Sequence, residues 1–107
     1  MEEIDRIRVG ANNIPVYLDP QLRDEGLFAK YEENPDFPTG FRIRLVRPPK
    51  DLIGAQAYIH EILHALDESY GLELGEPGVR TYEQLLCCLF RDNPKTLNNL
   101  LKRCADS

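Results

Sequence analysis

Read for where its apolar side chains fall, the 107-residue chain begins with a two-residue rhythm and ends with a helical one. Residues 4–9 (Ile-Asp-Arg-Ile-Arg-Val) and 14–18 (Ile-Pro-Val-Tyr-Leu) flank the turn formers Gly10-Ala11-Asn12-Asn13, which predicts a β-hairpin. Asp19-Pro20 ends the second strand, and the polar residues 20–26 read as a loop or helical turn. Gly26–Tyr31 is a candidate third strand, and Glu32–Gly40, with Asn34-Pro35 and Phe37-Pro38, reads as a long loop. Phe41–Arg47 alternates apolar and basic residues through Leu45. That predicts a half-buried strand with Phe41, Ile43 and Leu45 toward the core and Arg42 and Arg44 toward water. Its arginines and the following Pro48-Pro49 suit an exposed sheet edge, where an extended peptide would add and Arg42, Arg44 and Arg47 would favour acidic side chains.

From Asp51 the period changes. Asp51 is placed to cap a helix on which Leu52, Ala55, Ile59, Ile62, Leu63, Leu66 and Tyr70 form one stripe, and Gly71 is suited to end it in a left-handed conformation. A second helix starts with Pro77 at its first position and runs to about Arg91, with Val79, Tyr82, Leu85, Leu86, Leu89 and Phe90 as its apolar stripe. Asp92-Asn93-Pro94 breaks it, and Lys95–Cys104 forms a short terminal helix. The pattern therefore predicts an α+β fold in one domain, too small for two cores.

Composition narrows the class. With 29% charged residues and a mean hydropathy of -0.43, the chain has no apolar run near the ~20 residues that cross a bilayer, so no membrane partner is expected. The acidic start, Met1–Asp5, lacks the apolar segment of a secretory signal, and a cytoplasmic location, in a cell or in a host infected by a virus, is expected. A net charge of -5 argues against nucleic acid as a partner. Cys87, Cys88 and Cys104 are an odd set without metal-ligand spacing and read as reduced thiols.

Both histidines lie in His60-Glu61-Ile62-Leu63-His64, a His-Glu-x-x-His pattern. On a helix, positions four apart stand one above the other, so His60 and His64 can present two imidazole nitrogens to one ion, with Glu61 beside it as a general base. They sit on the flank of the apolar stripe with Ile53 and Ala57, and Glu61 is expected further round, toward solvent. The expected ion is one Zn²⁺, whose bound water is activated for hydrolysis. Three carboxylates compete to be the third ligand. Glu83, nineteen residues beyond His64 and on the edge of an apolar face, is the choice because an unpartnered carboxylate there would be costly. Asp67 suits an outer role, accepting an imidazole N–H, and Glu76 suits capping or the dipole of the second helix.

This pattern, a His-Glu-x-x-His helix followed by a glutamate on the next helix in a short chain, resembles the gluzincin metallopeptidases and their smallest members, the minigluzincins. The run His60–Asp67, Tyr70-Gly71-Leu72, Val79 and Asp92-Asn93-Pro94 is similar to small bacterial and phage proteins of that type. The resemblance implies a zincin-like fold: a small three- to four-stranded, mostly antiparallel sheet, an active-site helix and a glutamate helix, plus a short C-terminal helix, with a cleft beneath the edge strand. It implies His60, His64 and Glu83 on zinc, Glu61 as catalytic base, a peptide or protein substrate, and a latent state in which Asn93–Ser107 covers the cleft. Cys87 stands where larger gluzincins often place an aspartate supporting the site. The competing expectation is a zincin-like module whose metal stabilises the fold and which regulates a protein partner without cleaving it. Glu61 favours the enzyme, since a purely structural site needs no base.

Overall fold

The computed structural model describes residues 1–107. The chain is α+β, with strands β1 (Glu2–Val9), β2 (Asn12–Leu18), β3 (Ala29–Glu33) and β4 (Phe41–Leu45), then helices α1 (Leu52–Tyr70), α2 (Gly75–Asp92) and α3 (Pro94–Ala105). A 3-10 turn over Pro20–Glu25 joins β2 to β3. The expected hairpin is present: β1 and β2 pair antiparallel with Val9 opposite Asn12, and Gly10 turns the corner at a positive φ of 60°. The sheet order is β1-β2-β4-β3, with β2 and β4 parallel and the other pairs antiparallel.

That order changes two expectations. β4 is an interior strand, and the outer strand next to the helices is β3, which starts three residues later than Gly26 because Gly26 closes the 3-10 turn in the left-handed region. Arg44 accordingly does not face water. It is buried, and its Nη1 donates to Asp19 Oδ2 at 3.1 Å and Glu25 Oε2 at 3.0 Å while Nη2 donates to Glu32. Arg42 donates to Glu32 Oε2 at 2.6 Å. The arginines that read as a solvated face thus tie β4 to β3, to the end of β2 and to the 3-10 turn. The long loop contracts to Asn34–Gly40, which closes the β3–β4 hairpin through Asn34 N–H to Gly40 O.

The sheet buries Val9, Ile14, Val16, Ile43 and Leu45 against α1, where Ala65 is fully buried and Tyr58, Ile62 and Leu66 pack beside it. Asp51 caps α1 by accepting from Gly54 N–H at 2.8 Å, and Gly71 ends it at φ 60°, both as expected. Tyr58 Oη donates to Asp5 Oδ2 at 2.8 Å, pinning α1 to β1. Because α1 lies between the sheet and α2, two of its faces are covered. Its most buried positions are Gly54, Glu61, Leu63 and Ala65, whereas Leu52 and Tyr70, the ends of the expected stripe, are exposed.

Candidate metal centre

The site is built where α1 and α2 face each other. His60 and His64 stand one turn apart, with Nε2 atoms 3.2 Å apart and rings at 65° to each other. On α2, Glu76 and Glu83 are seven residues apart and so share a face, which is turned toward the two imidazoles. Glu76 spans both rings, with Oε1 2.9 Å from His60 Nε2 and Oε2 2.8 Å from His64 Nε2. Glu83 meets the other nitrogen of His60, with Oε1 2.9 Å from Nδ1. The group that could hold a metal ion is His60, His64 and Glu76, whose ligand atoms all lie within 4.8 Å of one another.

Glu83, expected as third ligand, therefore lies outside this group and touches its first histidine from behind. Glu83 is placed to accept from His60 Nδ1–H, and in that tautomer Nε2 is the lone pair turned toward His64 and Glu76. The two Nε2 atoms and the Glu76 carboxylate converge on one point, an arrangement held either by imidazole N–H groups donating to the carboxylate or by a shared cation. An ion with ligand bonds of ~2.0–2.1 Å in tetrahedral geometry has ligands about 3.3 Å apart; the two Nε2 atoms are near that at 3.2 Å, while the Glu76 oxygens, at 2.9 and 2.8 Å, stand at hydrogen-bond distance and would move apart to admit the ion.

Asp67 is not on an imidazole either. Its carboxylate accepts from Leu74 N–H at 2.9 Å and Gly75 N–H at 3.2 Å, holding the turn that carries the chain back into α2 and so placing Glu76. The turn itself needs the left-handed region at Gly71, Glu73 and Gly75. Glu76 is half exposed, and Arg80 Nε lies 3.4 Å from its Oε1. Partial burial would raise the Glu76 pKa, but the adjoining His60 and His64, with Arg80, outweigh it and hold the carboxyl below its ordinary value.

Glu61 is the largest departure from the sequence reading. It is buried, 8% exposed, and its Oε1 accepts from the backbone N–H of Tyr31 on β3 at 2.7 Å. Burial raises its pKa, opposed by the Tyr31 N–H and by the nearby histidines. Tyr31 N–H points away from β4, so by strand alternation the backbone groups of Ala29, Tyr31 and Glu33 line the free edge of β3. Between that edge and α2 lies a cleft of about 530 Å³ bordered by Phe28, Ile53, His60, Glu61, Glu76 and Glu83. No residue of α3 lines it, and α3 buries no residue of its own, so the chain does not fold with its C-terminal segment over the site. Cys87 is buried one turn beyond Glu83, where burial and then the Glu83 charge push its thiol pKa up.

In the sequence Glu76 reads as a helix-end residue, and the structure places it against both histidines instead. The signal for it was present in the seven-residue spacing of Glu76 and Glu83, which gives two carboxylates on one face to meet two histidines on one face. Compared with protein-family models, with curated proteins and with solved structures, the chain matches none. No helix is long and apolar enough to cross a membrane.

Proposed function

We propose that the chain is a zinc-dependent metallopeptidase of the gluzincin-like kind, acting in the cytoplasm on peptide or protein substrates. One observation carries the reading: His60 Nε2, His64 Nε2 and the Glu76 carboxylate converge while Glu83 fixes His60 from its far nitrogen. Softer alternatives to zinc are disfavoured by the donor set, two imidazoles and a carboxylate with no thiolate. When bound, zinc supplies a Lewis acid that brings a coordinated water to a pKa of roughly 7 and polarises a carbonyl oxygen.

The chain's own residues do the rest. His60, His64 and Glu76 hold the ion, and Glu83 keeps the His60 ring in one tautomer. Glu61, its pKa raised by burial, is placed to take a proton from an attacking water and to deliver it to the departing amine. The outer edge of β3, whose Ala29 lines the cleft and whose Tyr31 N–H is kept by Glu61, offers its remaining backbone groups to an extended peptide, the part given to Phe41–Arg47 on sequence alone. The tether from Tyr31 N–H leaves Glu61 Oε2 as the oxygen that handles the proton. The test is a pair of measurements on the zinc-loaded chain: cleavage of a mixed fluorogenic peptide library, and its loss in Glu61→Gln with zinc still bound at one per chain. Retained zinc without cleavage in the unaltered chain would favour the non-catalytic module.

A further inference from the structure

The outer face of α2 plays no part in the metal centre. Gly78, Tyr82, Leu85 and Leu89 follow at spacings of four, three and four, the 3.5-residue rhythm of a seam between two helices. They point away from the body, since Val79 and Cys87, on the other side of α2, are the residues it buries. Tyr82, Leu85 and Leu89 are 48%, 60% and 47% exposed. From Thr81 to Phe90 the only charged side chain is Glu83, and it is turned inward onto His60. A solvated helix face normally carries charge, and a charge-free stretch bearing exposed aromatic and aliphatic residues has the composition of an interface core.

We propose that this seam binds a second copy of the chain, α2 lying antiparallel to its counterpart about a two-fold axis near Leu85. Charge is complementary between two copies. Residues 91–107 hold Arg91, Lys95, Lys102 and Arg103 against Asp92 and Asp106, a balance of +2, so residues 1–90 carry -7 of the total -5. Antiparallel apposition brings the basic C-terminal end of each copy alongside the acidic body of the other, while the seam between them has no charges to repel. Tyr82, Leu85 and Leu89 are each about half exposed or more, and Leu100 and Leu101 of α3, 55% and 66% exposed, add to the apolar surface available toward the about 800 Å² per partner of a standard interface. An isologous pairing closes on itself and leaves no further copy of the patch open.

The experiment is sedimentation of the full chain with zinc, from about 1 to 100 μM. The expected species is the dimer, twice the 12.3 kDa of the chain, dissociating on dilution and on addition of salt. Leu85→Glu/Leu89→Glu should raise the dissociation constant at least ~100-fold with helical content and zinc stoichiometry unchanged, and Tyr82→Glu alone should weaken it in the same direction. A monomer at 100 μM overturns the proposal, as does a dimer that survives all three substitutions. Neither result bears on the metallopeptidase reading, because nothing here is measured through activity.

Discussion

Tyr31 N–H and Glu61 Oε1 are 2.7 Å apart, so the carboxylate beside the two histidines is fastened to the outer strand of the sheet. This bond explains how a charged side chain can lie 8% exposed on a helix that packs against a β-sheet core. It also joins the β3 edge to α1, which lies between the two walls of the cleft, at the atom on which the proposed chemistry turns. A glutamine keeps an acceptor for Tyr31 but has no basic oxygen. Glu61→Gln should therefore keep its melting temperature within a few degrees and keep its zinc, while peptide cleavage falls by about 100-fold or more. A variant that cleaved normally would remove Glu61 from the reaction.

Glu76 and Glu83 should separate in zinc titrations. Loss of a direct ligand in Glu76→Ala should weaken zinc more than Glu83→Gln, which removes only the support behind His60 and should cost about 10- to 100-fold in affinity. Competition with a chromogenic chelator reads both. The reverse order would return Glu83 to the ligand role expected from the sequence.

Asp67 should act on the site through the turn. Asp67→Ala leaves Leu74 N–H and Gly75 N–H without their acceptor, at a cost of about 1 kcal/mol, and loosens the placement of Glu76. Zinc affinity should fall together with thermal stability, whereas a change confined to stability would disconnect the turn from the metal centre.

The Arg44 cluster should make the fold acid-sensitive. Burial alone would raise the Glu32 pKa, but hydrogen bonds from Arg42 and Arg44 outweigh it and hold the carboxyl below its ordinary value. A depressed folded-state pKa contributes stability that is full above the unfolded value of about 4.3 and is lost as pH falls through the folded one. Melting temperature should drop below about pH 4, and Glu32→Gln should flatten that part of the profile. At neutral pH, Arg44→Met strands partly buried carboxylates and should destabilise by on the order of 3 kcal/mol. An unchanged melt would contradict this.

Features set by short stretches of chain were legible in the sequence. The Gly10 hairpin, the Asp51 cap, the Gly71 terminus, the breaks around Asn93-Pro94 and the facing of His60 and His64 each depend on a few neighbouring residues. The α+β class followed from the change of period at Asp51. What did not follow depends on where distant segments meet. Arg42 and Arg44 alternate like a solvated face, and only the placement of Asp19, Glu25 and Glu32 around them makes Arg44 a buried hub. Glu61 reads as solvent-facing until β3 supplies a backbone N–H from thirty residues away. The choice between Glu76 and Glu83 turned on the angle at which α2 leaves the Asp67-held turn, which no local pattern encodes.

The proposed centre is one cation shared by two imidazoles and a carboxylate, and anomalous diffraction at the zinc edge from crystals of the zinc-loaded chain tests it most directly. The predicted result is a single peak within about 2.0–2.2 Å of His60 Nε2, His64 Nε2 and a Glu76 oxygen, with Glu83 still on His60 Nδ1. A fully zinc-exposed crystal with no peak between α1 and α2 would contradict it.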